Sequence, residues 1–142
     1  MKTISVKLNR QNYSQYHIIA SLNKELIIIL IDTGACNSHI SLDLAQEIYE
    51  SDEISYESYE GETIVNNKVT HIELILSKEL KISLEIPIDH RRHQENKKIL
   101  LGIDFLEQFN YQITSTELIL DNIRIPRINL YYKDIEAQLK HV

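Results

Sequence analysis

Six consecutive apolar residues, Leu26 to Ile31, run without interruption into Asp32-Thr33-Gly34-Ala35-Cys36-Asn37-Ser38-His39-Ile40. Six is far short of the ~20 residues that span a bilayer. Four of the six are isoleucine, and a short β-branched run of this kind fits a strand buried on both faces. The strand then ends on a carboxylate. A buried carboxylate is costly unless hydrogen bonds or a neighbouring charge stabilise its ionised form. Gly34 permits a tight turn and close approach of other backbone, and Thr33 supplies a short hydroxyl. A carboxylate held this way at the mouth of a core strand points to chemistry rather than to packing.

The rest of the chain offers mainly strands. Thr3 to Leu8 alternates loosely and reads as a strand, and Gln11 to Gln15 as a polar turn. Tyr16 to Leu22 should pair with Glu25 to Ile31 across Asn23-Lys24, a two-residue hairpin without the favoured glycine. After the Asp32 turn, Ser41 or Asp43 can cap a short helix ending near Tyr49, with Leu44 and Ile48 on one face. Ser51 to Glu62 is acidic and tyrosine-rich and reads as an exposed loop. Val69 to Leu76 and Leu80 to Ile88 alternate most clearly. Leu80, Ile82, Leu84, Ile86 and Ile88 share a face opposite Lys81, Ser83 and Glu85, and Pro87 belongs at an edge or at the strand's exit. Asp89 to Lys98 is a polar connection, Phe105 to Phe109 a helical turn, and Thr116 to Leu120 a further strand. Ile123 to Tyr131, interrupted by Pro126, suits an edge strand, and Lys133 to Lys140 a short terminal helix. No repeat or linker divides residues 1–142, so a single, mostly β domain is expected: a small closed barrel with one or two short helices.

Composition narrows the function. A net charge of −6 argues against a nucleic-acid-binding surface, although His90 to Lys98 is locally basic. Tyr49, Tyr56, Tyr59, Tyr131 and Tyr132 lack the basic interleaving of a nucleic-acid platform. One cysteine excludes an internal disulfide and fits a reducing compartment. The N-terminal residues carry no leader or membrane pattern, so cytoplasm or the inside of a virus-like particle is the expected location.

Two motifs carry a family resemblance. Asp32-Thr33-Gly34-Ala35 after an apolar strand resembles the signature of aspartic proteases, in the form typical of retroviral and retroelement enzymes. Ile99-Leu100-Leu101-Gly102-Ile103-Asp104-Phe105-Leu106, with Gly102 70 positions after Asp32, resembles that family's second motif: apolar residues and a glycine leading into a short helix. The layout is most like plant pararetroviral, caulimovirus-type proteases, and the resemblance spans roughly Glu25 to Leu120. It implies a retropepsin barrel, no cofactor or metal, and a homodimer that cleaves polypeptide, its own polyprotein being the expected substrate.

Metal-free peptide hydrolysis needs one group to activate water and another to protonate the scissile amide. Two carboxylates that share one proton do both, since like charges about 3 Å apart cannot both ionise. With a single Asp-Thr-Gly here, the resemblance assigns the second carboxylate to Asp32 of another copy. It also implies that Thr33 braces the two turns and that the Gly34 N–H supports the carboxylate. Ala35 replaces a hydroxyl that lowers the dyad's pKa in two-lobed relatives, so activity is expected closer to neutral pH. Asp104 lies at a helix start and reads as a capping or hydrogen-bonding residue. The resemblance also calls for a flap that closes over substrate, and the expected segment is Tyr59-Glu60-Gly61-Glu62-Thr63-Ile64-Val65 with Gly61 at the tip, an ordinary glycine turn being the alternative. Retroviral enzymes often place an aspartate and an arginine where this chain has Cys36 and Ile103, so a polar brace near the dimer interface is missing.

Rival constellations are weaker. Cys36 and His39, three residues apart on a strand-end turn, make poor geometry for a thiol dyad, and a buried inert cysteine is expected. His90-x-x-His93 lacks partners at ligand spacing beyond Asp89 and reads as a solvated loop. Two further functions share the fold: a cellular retropepsin-like domain of the ubiquitin-shuttle type, and a catalytically idle interaction module.

Overall fold

In a computed structural model the described residues are 1–6, 15–57, 61–91 and 98–128. Among them, strands β1 (Tyr16–Leu22) and β2 (Glu25–Ile31) form the predicted hairpin, paired from Tyr16↔Ile31 to Leu22↔Glu25. Asn23 (φ 52°) and Lys24 (φ 68°) both take the left-handed region, the backbone of the turn type whose twist matches a tight hairpin. Asn23 tolerates that conformation through its short polar side chain, while Lys24 holds it at the position where glycine is favoured.

Strands β3 (His39–Ser41), β4 (Tyr49–Glu57), β5 (Thr63–Ser77), β6 (Leu80–Asp89) and β7 (Ile99–Leu101) follow. Helix α1 (Ile103–Leu106) leads to β8 (Tyr111–Ile113), β9 (Glu117–Leu120) and β10 (Ile123–Pro126). The larger sheet runs β1-β2-β7-β3-β6-β5, and β5 returns to β1 through Ser21↔Ile75 and Leu22↔Leu74. That pairing closes a six-stranded barrel of the retroviral protease type. Closure runs through the end of β1 alone, and β4 extends outward from the first half of β5. The second sheet, β8-β9-β10, is a meander.

The barrel interior is isoleucine and leucine. Ile18, Ala20 and Leu22 of β1 meet Ile27, Ile29 and Ile31 of β2, Leu74 and Leu76 of β5, Ile86 and Ile88 of β6, and Ile99 and Leu101 of β7. Leu106, Leu118, Leu120 and Ile125 join the same cluster, so α1 and the small sheet plug the barrel. Each buried isoleucine or leucine contributes about 1.5–3 kcal/mol of hydrophobic stabilisation.

Several expectations need correcting. The run Leu26 to Ile31 is buried on both faces only toward its end: Leu30 is buried opposite Ile29 and Ile31, but Leu26 is 52% exposed. The helix from Ser41 to Tyr49 is a single 3-10 turn, Leu42–Leu44, closed by the Ala45 N–H on Leu42 O. Tyr49 instead begins β4, because pairing with β5 at Tyr49 and Glu50, and again from Ile54 to Glu57 beyond a register shift, satisfies backbone groups where a helix this short would leave its ends unsatisfied. Ser51 to Glu57, read as loop, lies in that strand for the same reason; β5 correspondingly starts at Thr63 rather than Val69. Met1 to Val6 forms no strand, since nothing among the described residues pairs with it, and Ile4 and Val6 are exposed. The helical turn after Gly102 begins at Ile103, two residues earlier than expected. Residues 7–8 of the predicted first strand, residues 11–14 of the predicted turn, residues 92–97 of the polar connection, residues 129–131 of the predicted edge strand and the predicted helix Lys133 to Lys140 lie outside the described residues.

Candidate active site

Strand β2 delivers Asp32 to its position, and β7 holds it there. β7 lies between β2, to which it is parallel (Ile31↔Leu101), and β3, to which it is antiparallel (His39↔Leu100). The strand entering the Asp32 turn and the strand leaving it are therefore spaced by a third strand that comes from the second motif. The last ladder bond is Asp32 N–H to Leu101 O, 3.0 Å.

Within the turn, Gly34 N–H donates to Asp32 Oδ1 at 2.9 Å and Ala35 N–H to Asp32 O at 3.2 Å. Asp32 is half-buried, while Thr33 and Gly34 are exposed. A Cβ added to Gly34 would come 3.2 Å from Asp32 Oδ1, so glycine is what lets that N–H approach the carboxylate closely.

The second motif clamps the far side of the turn. Ile103 N–H donates to Ala35 O (2.8 Å) and Asp104 N–H to Cys36 O (3.2 Å). A Cβ on Gly102 would lie 2.4 Å from Ala35 O, so these two backbones touch where no other residue fits. Ser38 closes the arrangement. Its hydroxyl donates to Asp104 Oδ1 (2.6 Å) and accepts the Gly102 N–H (2.9 Å), while its own N–H donates to Asp104 Oδ2 (2.9 Å). Phe105 N–H also donates to Asp104 Oδ1, at 2.8 Å. Asp104 is thus a carboxylate whose acceptor sites serve the fold.

The sequence alone does not single out Ser38. Its partner is 66 positions away, and a lone serine beyond a turn carries no signal of that contact.

Other candidates disperse. Cys36 is exposed, not buried as expected, because it shares the open surface of the turn with Thr33, Gly34 and Asn37. His39 is buried on β3 with Nδ1 3.9 Å from Asp89 Oδ2, and its surroundings are the barrel wall rather than the exposed thiol. Among the described residues no group of three or more His, Cys, Asp or Glu side chains could hold a metal ion; His93 lies outside those residues. Asp43 is held below the usual carboxylate range by hydrogen bonds from Lys98 and Ser41.

The predicted flap segment falls in the β4–β5 hairpin. Its ladder runs Ser55↔Val65, Tyr56↔Ile64, Glu57↔Thr63, and Gly61 has φ 82°, the left-handed conformation a hairpin bend asks of glycine. Tyr59 and Glu60 lie outside the described residues. Glu62 accepts a hydrogen bond from Arg91 Nη1 at 3.3 Å, and Arg91 in turn grips Asp89 at the end of β6.

No protein-family model matches the chain. It is 42% identical over 122 residues to "Uncharacterized protein 7" of soybean chlorotic mottle virus, covering 84% of this chain and 80% of that one. Solved structures share its fold at low identity. The retroviral protease-like domain of Ddi1 from Leishmania major matches with TM-score 0.61 at 14% identity, over 82% of this chain and 96% of that domain. EIAV protease in complex with the inhibitor HBY-793 matches with TM-score 0.50 at 15% identity, over 75% of this chain and 99% of that one. The foamy viral protease-reverse transcriptase in complex with an RNA/DNA hybrid matches with TM-score 0.50 at 14% identity, over 70% of this chain but only 12% of that one.

Proposed function

Because the chain belongs to the family of soybean chlorotic mottle virus protein 7 and has the fold of retroviral protease-like domains, we propose that it is a homodimeric aspartic endopeptidase. Its task is to process a viral or retroelement polyprotein, in the cytoplasm or inside particles. The observation that carries this reading is the Asp32 turn itself: a carboxylate at the end of a core strand, oriented by the Gly34 N–H and clamped from below by β7 and Gly102. A viral relative covering most of both chains favours the polyprotein role over the cellular shuttle role.

Each protomer supplies one Asp32. The exposure of Thr33 and Gly34 in the single chain leaves that side of the turn open to a second copy. In the dimer, one Asp32 is ionised and takes a proton from water as the oxygen attacks the scissile carbonyl. The other is protonated and donates to the carbonyl oxygen, giving a gem-diol. Collapse of the gem-diol breaks the C–N bond as the now protonated first Asp32 gives its proton to the amide nitrogen and a gem-diol hydroxyl returns its proton to the ionised second Asp32, leaving a carboxylic acid and an amine with the dyad again singly protonated. The β4–β5 hairpin would cover the peptide and exclude bulk water.

Incubation of the purified protein with its adjoining polyprotein segment, with and without a peptide aspartic-protease inhibitor, tests this. Cleavage should be blocked by the inhibitor and reduced to background in a folded Asp32→Asn variant, while Asp104→Asn retains measurable turnover. Cleavage by Asp32→Asn at the wild-type rate would end the proposal.

A further inference from the structure

At the end of β6, Asp89 is fully buried, a position a carboxylate holds only with donors around it. Arg91 supplies several. Its backbone N–H donates to Asp89 Oδ1 (3.0 Å), its Nε reaches both oxygens (3.2 Å), and its Nη2 donates to Oδ2 (2.8 Å). The guanidinium is thereby fixed in plane and position, so little rotamer freedom remains to be lost in a further contact. Its other terminal nitrogen, Nη1, lies 3.3 Å from Glu62 Oε2, one residue past the Gly61 bend of the β4–β5 hairpin.

We propose that Arg91 is a positioning residue: a cation anchored on the barrel through Asp89 that tethers the β4–β5 hairpin through Glu62 and holds it against the end of β6. The two halves of the contact differ in strength. The Arg91–Asp89 half is multidentate on a buried carboxylate, and belongs to the permanent fold. The Glu62 half is solvated, with the Glu62 side chain 65% exposed. An exposed pair of that kind contributes little and is screened by salt, which is what a reversible latch requires. The tether is a property of the ligand-free protomer; its consequence for substrate entry rests on the proteolytic reading above.

Amide exchange at Gly61 and Thr63 to Val65, corrected for intrinsic rates, tests it on the whole chain without substrate. Glu62→Gln is isosteric at an exposed position and removes the charge alone. At low ionic strength it should speed exchange there by roughly two- to fivefold, the range expected for one exposed ion pair. Glu62→Lys, which repels Arg91, should speed it further. In about 1 M salt, where the screening length falls to about 3 Å, wild type and Glu62→Gln should coincide. Equal exchange in wild type and Glu62→Gln at low salt, or a difference that salt leaves unchanged, would overturn the tether. In the cleavage assay the same variant should move KM more than kcat. Faster exchange with KM unmoved would leave the tether standing and take the hairpin out of the substrate's path, so the two readings fail separately.

Discussion

Replacing Gly102 by alanine tests how the two motifs depend on each other. Gly102 has φ −103° and ψ −162°, extended backbone that alanine adopts freely, so conformation by itself does not oppose the change. At such a site Gly→Ala stabilises by about 0.4–1 kcal/mol through the unfolded chain. The steric effect is opposite and larger. The new methyl would sit 2.4 Å from Ala35 O and 3.1 Å from Ala35 C, where real contacts do not fall below 3.0 Å, so backbone must move by at least 0.6 Å (3.0 − 2.4). Ala35 O accepts the Ile103 N–H and Ala35 N–H binds Asp32 O, so the shift strains bonds that position the carboxylate. Overpacking against backbone costs about 3 kcal/mol, the top of the usual range, leaving a net loss of about 2 kcal/mol. A misplacement near 1 Å at reacting groups costs on the order of 100-fold in rate. Urea unfolding at fixed protein concentration should give a lower midpoint at unchanged m, and kcat/KM should fall on the order of 100-fold. Gly34→Ala is the contrast. Its methyl would meet only the Asp32 side chain, at 3.2 Å, so stability should change by less than about 0.5 kcal/mol while activity falls. A Gly102→Ala protein with wild-type midpoint and turnover would refute the reasoning.

Ser38→Ala removes the acceptor of the buried Gly102 N–H and a donor to Asp104, and should cost about 1–3 kcal/mol by chemical denaturation; a change too small to measure would show that the brace is replaced by other contacts. Asp43 has its carboxyl pulled below the ordinary range by Lys98 and Ser41, so its contribution to stability is present above the unfolded-state value of about 4 and is lost as pH falls through the lower folded value. Asp43→Asn should therefore flatten the acid side of a Tm-against-pH curve below about pH 4, and an unaltered slope would contradict the assignment. Because one Asp32 per chain makes half a site, specific activity should rise with protein concentration and a peptide inhibitor should drive association. Full activity in a species shown by sedimentation to be monomeric would send the search for a second carboxylate back into this chain. With one carboxylate charged and one protonated, kcat/KM should follow a bell-shaped pH profile whose limbs belong to the pair; a monotonic profile would argue against proton sharing.

The elements legible in the sequence are those whose signal is local. The Asn23-Lys24 hairpin, the alternation of Leu80 to Ile88 and the strand feeding Asp32 all follow from side-chain period and turn chemistry within a few residues. The Asp32 turn is visible because a carboxylate, a hydroxyl and a glycine after an apolar run have few structural uses. Tertiary contact decides the rest. Tyr49 to Glu57 carries no strong strand pattern and becomes a strand because β5 offers it a ladder. Cys36 is apolar enough to be read as core, but its exposure depends on which side of the turn faces solvent. Ser38 reaches Asp104 across 66 positions, Gly102 touches Ala35 across 67, and Arg91 joins Asp89 to Glu62 across 29. Such pairings exist only once β7 has been threaded between β2 and β3 and the barrel has closed. Each partner's residue type is compatible with many others, so a single sequence determines which groups are available, and topology alone determines which of them meet.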